Sequence, residues 1–246
     1  MPVLIFILIL FLLFGSSHLG GVGTQLGKQA RKPYRQAKWM FALLSGTEEE
    51  SLRAEEEFGR ECAREFSKQF SGIASVPDRD LVSAIGARLA KAVKDPRRNF
   101  QFSAIVSPTA NAFALPGGFV FITTRLLDLA GRNPDEIAFF LGHEIAHVVC
   151  GHAKDQMSAG VILNAIATRL AGAGGLLSQV LAKGYSRSME LEADKEGVRL
   201  ADAAGFSSKS SLQALRRLAD IAPDVSGLAE YFSSHPTVQD RIRSLE

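Results

Sequence analysis

The stretch FFLGHEIAHVVCGHA, Phe139 to Ala153, places three of the chain's five histidines within ten positions of an otherwise apolar run. Just upstream, NPDEIA offers Asn133 as a helix cap, Pro134 at the first helical position and two acids in the first turn, so the whole segment is expected to be one helix. On a helix, His143 and His147 are four residues apart and project about 40° apart on one face, which lets two imidazoles reach one metal ion. Glu144 lies about 100° round from His143, beside such an ion, where it can take a proton from water. His-Glu-x-x-His is the spacing of metal-assisted peptide hydrolysis, and each fixed position has a mechanical reason.

A catalytic zinc ion takes a third protein ligand and leaves one position to water. His152 lies about 180° round a continuing helix from His143, facing away from such an ion. The metzincin spacing would require a histidine at position 153, where Ala153 stands. The other source is a carboxylate on a second helix. YSRSMELEAD, starting at Tyr185, offers Glu190, Glu192 and Asp194. Glu190 and Asp194 share a face at i, i+4, whereas Glu192 points nearly opposite to Glu190. Spacing alone leaves both Glu190 and Glu192 open as ligands. The pairing of Glu190 with Asp194 suggests a ligand and an outer partner that accepts a hydrogen bond from a ligand imidazole.

Around these motifs the chain reads as one sizeable domain with an appendage. A net charge of +2 over 246 residues argues against nucleic acid as a partner. Cys62 and Cys150 define no disulfide framework and read as small buried apolar residues. Residues 1–27 carry no Lys, Arg, Asp or Glu, and the apolar core from Val3 to Phe14 fits either a membrane anchor or a signal segment. Lys28, Arg31, Lys32, Arg35 and Lys38 follow it, with aromatic residues among them. Thr47 with Glu50 forms a capping box ahead of an amphipathic helix, and a second helix starts near Pro77. NFQFSAIVS alternates as a strand, and NAFALPGGFVFIT reads as strand, Pro-Gly-Gly turn and strand. The apolar run 157–184 is interrupted by Arg169 and GAGG, which predicts two short helices packed on the body rather than a membrane span. Further helices are expected over SRSMELEADKEGVRLADAA, ended by Gly205, over a serine-capped SSKSSLQALRRLADIA, and after a loop containing YFSSHP.

LGHEIAHVVCGH together with YSRSMELEAD resembles the metallopeptidase family that holds the HtpX heat-shock protease, the CaaX prenyl protease, the mitochondrial Oma protease and the periplasmic BepA-type proteases. The resemblance runs from about Val76 to Glu246 and is nearest to the soluble Oma- and BepA-like branch. It implies an α+β, mainly helical, zincin-like fold of the gluzincin kind, with a small β-sheet beside the HExxH helix. It implies one zinc ion per chain, held by His143, His147 and Glu190, with Asp194 as outer partner and Glu144 as general base. NAFALPGG is similar to a strand whose edge receives an extended substrate, a role that falls to Asn111, Ala112, Phe113 and Ala114. HPTVQDRI resembles a tail whose His-Pro loop approaches the metal, which makes His235 a candidate fourth ligand and plug. Arg187 is the candidate stabiliser of charge in the transition state.

The expectation is a membrane-associated zinc endopeptidase that cleaves extended or misfolded envelope proteins and is self-inhibited by its His-Pro loop. Its parts would be an anchor or signal segment (1–27), a basic linker with an amphipathic helix (28–75) and a catalytic domain (76–246). The cell envelope, on its periplasmic side, is the expected location; secretion after signal cleavage and a cytoplasm-facing anchor are the alternatives. The rival reading is a non-catalytic, metal-stabilised, chaperone-like module that holds polypeptide in the same groove.

Overall fold

The computed structural model describes residues 42, 46–67, 74–152, 184–221 and 228–246. The apolar segment 1–27, the basic stretch after it and nearly all of the apolar run 157–184 lie outside these residues. The chain divides into two compact units, Met1–Ala54 and Glu55–Glu246. Within the first, the capping box forms as expected: the Thr47 N–H donates to Glu50 Oε2 at 2.8 Å, and the Glu50 N–H donates to Thr47 Oγ1 at 3.3 Å. It opens α1 (Glu48–Ser67), whose later turns belong to the second unit.

The second unit continues with α2 (Val76–Ala92), β1 (Gln101–Ile105), β2 (Ala112–Leu115), β3 (Phe119–Thr123) and α3 (Thr124–Leu129). It closes with α4 (Pro134–Val149), α5 (Arg187–Ala203), α6 (Lys209–Asp220), α7 (Ala229–Ser234) and α8 (Val238–Leu245). The mainly helical α+β architecture with one small sheet is therefore as expected. The caps explain several of the boundaries. Ser75 accepts from the Asp78 N–H at 3.2 Å to start α2, and Asn133 accepts from the Asp135 N–H at 3.0 Å to start α4. Ser208 stands at the N-cap of α6 but its side chain makes no capping bond, so that helix starts without the expected serine cap. Tyr231 and Phe232, read as loop from the sequence, lie in α7.

The sheet has the order β1-β3-β2, with β1 parallel and β2 antiparallel to β3. Every residue of β3 is buried, because helices cover both faces. Val120 and Ile122 turn into the main core with α2 and α4, whereas Phe119 and Phe121 meet Phe66 of α1 and Phe113 of β2 on the other side. The Gly117-Gly118 turn carries φ of 76° and 86°, a conformation side chains resist, and a Cβ on Gly118 would lie 2.2 Å from the Asn99 carbonyl oxygen. On its far side β2 pairs with no other strand among the described residues, so it is an edge.

α4 is buried without a break from Glu136 to Val148, which explains why the sequence around its histidines is so apolar. α5 crosses it at a pair of glycines. A Cβ on Gly142 would lie 2.9 Å from the Gly197 carbonyl oxygen, and one on Gly197 would lie 2.8 Å from the His143 nitrogen. The two backbones therefore touch next to His143, and no side chain separates the helices that carry the polar residues. Gly197→Ala is expected to destabilise the fold by about 1–3 kcal/mol through overpacking. If His143 and Glu190 hold zinc, as the resemblance implies, its affinity should fall too, because the two helices must part beside them. Thermal unfolding and chelator competition measure the two effects. An unchanged affinity would mean that this crossing does not set the ligand spacing. Among the described residues no helix is long and apolar enough to cross a membrane.

Candidate metal centre

Four side-chain donors from three parts of the fold converge in the buried interior. His143 and His147 come from α4, Glu190 from the first turn of α5, and His235 from the junction of α7 and α8. His143 Nε2 stands 3.0 Å from His147 Nε2 and 3.4 Å from His235 Nδ1. Glu190 Oε1 stands 3.4 Å from His147 Nε2 and 3.2 Å from His235 Nδ1, and its Oε2 is 3.5 Å from His143 Nε2. Ligands about 2.0–2.1 Å from a tetrahedral zinc ion stand about 3.3–3.4 Å from one another. The donor set thus suits one metal ion in chemistry, and these separations lie near those between the ligands of a zinc ion. Glu190 Oε2 is buried and, among the described residues, has no hydrogen-bond partner, although Arg241 Nη1 approaches it to 3.1 Å, so it keeps lone pairs for a cation. Spacing alone left Glu190 and Glu192 open; only Glu190 enters the cluster.

The groups behind the cluster set its tautomers. His143 Nδ1 lies 2.9 Å from Asp194 Oδ1, the partnership suggested by their spacing, and this directs Nε2 at the cluster. Asp194 is in turn gripped by Arg241, Nε to Oδ2 at 2.8 Å and Nη2 to Oδ1 at 2.7 Å. Arg241 is fully buried, a residue that the sequence reading passed over. A signal for it exists: Val238, Arg241, Ile242 and Leu245 recur at i, i+3, i+4, i+7, which puts a guanidinium on the apolar face of α8. Tyr185 was named only as the start of its motif, without a role; its ring stacks on His147 with centroids 3.8 Å apart and an interplanar angle of 16°.

Electrostatics follow from this burial. Burial pushes the Glu144 carboxyl above its ordinary range, against the pull of His235 and His143. Burial pushes Glu190 the same way, but His235, His143 and His147 outweigh it and hold the carboxylate well below its ordinary range. Asp194 is held at about 2, because Arg241 and His143 outweigh the burial that would raise it.

Glu144 stands beside the four donors and not among them, with Oε1 3.4 Å from His235 Nε2. Of the proposed substrate strand, Ala112, Phe113 and Ala114 lie on β2, with Asn111 just before it. The Asn111 backbone is engaged by Thr123, while its buried side-chain oxygen has no hydrogen-bond partner among the described residues. His235 Nε2 reaches the Ala112 carbonyl oxygen at 3.3 Å, so the edge strand and the cluster adjoin. Arg187 is not brought to the cluster. In the first turn of α5 its side chain runs outward, 63% exposed, to Asp240 on α8.

Residues 78–246 match peptidase family M48. The chain belongs to that family. Similar members include a mitochondrial metalloendopeptidase OMA1 of Schizosaccharomyces pombe, 35% identical over 60% of this chain and 46% of the relative. A beta-barrel assembly-enhancing protease of Yersinia pestis is 28% identical over 65% of this chain and 37% of the relative. The metalloprotease YcaL of Escherichia coli is 29% identical over 66% of this chain and 69% of the relative. The chain thus spans less than half the length of the first two. The family is one of metalloproteases, and the His143, His147, Glu190 and His235 cluster is suited to one metal ion.

Proposed function

We propose that this chain is a zinc-dependent endopeptidase that acts on extended polypeptide and is held in a self-inhibited form by His235. The observation that carries the reading is the convergence of His143, His147, Glu190 and His235, with Glu144 beside it and, among the described residues, the edge strand β2 adjoining. A zinc ion held there supplies Lewis acidity, which polarises a peptide carbonyl and acidifies water. The chain supplies the rest. β2 aligns the substrate backbone as an added strand, with Asn111 offering a further acceptor. Glu144 takes a proton from the attacking water and delivers it to the leaving amine.

Self-inhibition follows from the count of donors. A catalytic zinc site keeps one position open, whereas four protein ligands close it. His235 fills the fourth position with Nδ1, and its Nε2 also takes the Ala112 carbonyl that a substrate strand would use. The loop that holds it is strained, because Thr237 is β-branched and sits at φ 66°. Four closed ligands also suit a purely structural zinc, and that observation favours the second reading, a metal-stabilised module that binds polypeptide without cleaving it. By the name of one relative, β-barrel assembly is the neighbouring process, which points to misassembled envelope proteins as substrates. Residues 1–27 and the basic run after them support attachment to a membrane at the cell envelope.

One experiment separates these readings. The full chain is expected in the membrane fraction, from which detergent releases it with one zinc. His235→Ala is expected to raise casein cleavage about tenfold or more while three ligands keep the zinc. Loss of zinc in this variant, with no cleavage in either protein, would favour the structural site.

A further inference from the structure

We propose that the metal centre continues outward through His152 to Glu192, as a hydrogen-bonded chain that fixes the tautomer and orientation of His147. The inference rests on the reading of His143, His147 and Glu190 as zinc ligands. α4 ends at Val149, and Gly151 then takes φ 75°, which turns the chain back on itself. His152 therefore does not face away as it would on a continuing helix. It is 2% exposed, and its Nδ1 lies 2.9 Å from His147 Nδ1. Its Nε2 lies 3.4 Å from Glu192 Oε2, whose side chain is 65% exposed.

The tautomers of this chain leave no freedom. His147 presents Nε2 to the cluster, so its proton resides on Nδ1. That N–H donates to His152 Nδ1, which must then be the bare nitrogen. The His152 proton consequently sits on Nε2 and is donated to the Glu192 carboxylate. Both ligand imidazoles thereby end on a carboxylate of α5: His143 directly on Asp194, His147 through one further imidazole on Glu192. Outer partners of this kind orient a ligand and raise its basicity.

The same residues offer a rival use. Cys150, His152 and Glu192 present donor atoms within 4.8 Å of one another, enough for a second ion. The tautomers set the two uses against each other. An ion on His152 Nε2 would drive its proton to Nδ1, where it would face the His147 N–H across 2.9 Å. Two donors cannot share that contact, so an ion on His147 and an ion on His152 exclude one another. The geometry assigns His152 to the first centre.

The test uses the detergent-released full chain. Zinc content is measured by mass spectrometry and zinc affinity by chelator competition, for wild type, His152→Gln, His152→Phe and Glu192→Gln. Wild type should hold one zinc. His152→Phe, which fills space but accepts no proton, should weaken zinc binding about 10–100-fold. His152→Gln, whose side-chain oxygen can accept from His147, should recover most of that loss, which a merely space-filling role would not produce. Glu192→Gln, at an exposed position where folding is not at risk, should weaken zinc by less than tenfold. Equal affinities in wild type and in both His152 variants would overturn the proposal. So would two zinc ions in wild type, one of them lost in Glu192→Gln. Wild-type chain without zinc would instead overturn the reading of the centre itself, and the outer chain with it.

Discussion

Glu144→Gln should abolish cleavage and leave the zinc in place. The substitution keeps the shape of a side chain that is buried against His235 and that stands outside the four converging donors. What it removes is the capacity to accept a proton. General-base catalysis contributes about 10²–10⁴-fold, and a loss of that order is expected in casein cleavage. The comparison is best made with His235→Ala present in both proteins, so that the reference activity is high. Loss of zinc would show that Glu144 is a ligand, and undiminished cleavage would place the base elsewhere. The pH profile carries the same signature. Burial raises the Glu144 pKa, and the base works only when ionised, so cleavage should fall on the acid side at a pH above the ordinary carboxylate range. With Gln at this position that limb should be missing.

Arg241→Met should be the most destabilising change in the C-terminal helix. The guanidinium is fully buried, grips Asp194 with two hydrogen bonds and approaches Glu190 to 3.1 Å. Removing it strands two buried carboxylates, a change that typically destabilises by about 3–5 kcal/mol. Urea denaturation measures this directly. A double variant, Arg241→Met with Asp194→Leu, discriminates the cause. Replacing a buried ion pair by apolar groups is often close to neutral, so the double variant should regain much of the stability lost by the single one. It should not regain zinc affinity, because His143 Nδ1 has then lost the carboxylate that fixes its tautomer. A single variant as stable as wild type would mean that Asp194 and Glu190 need no cation behind them.

These two residues also mark the limit of what could be read before the fold was in hand. The position of Glu144 was legible because it depends on local geometry alone: a helix places it beside His143 and His147 whatever the helix packs against. The caps at Thr47 and Asn133 and the strand over FVFIT are local in the same sense, and each forms as the residue pattern predicts. Glu190 and Asp194 were legible as a pair on one face, but their choice over Glu192 as partners of the cluster needed more than spacing. Arg187 shows the opposite case. Its residue type suited the chemistry, yet at the start of α5 its side chain turns away from the cluster and pairs with Asp240 of α8.

By itself, then, the sequence determined most of the described helices and strands, the two-histidine face with its adjacent acid, and the family to which the chain belongs. The reason is that caps, periodicity and i, i+4 spacing act within a few residues. Tertiary structure alone decided that Arg241 and His152 stand behind the cluster. Gly142 and Gly197 bring two backbones into contact, and that approach carries Glu190 and Asp194 to the histidines. Packing of the apolar face of α8 drives Arg241 into the same interior, and the turn at Gly151 folds His152 back on His147. None of these contacts has a local signature strong enough to assign it, because each depends on elements separated in the chain meeting at distances that only packing sets.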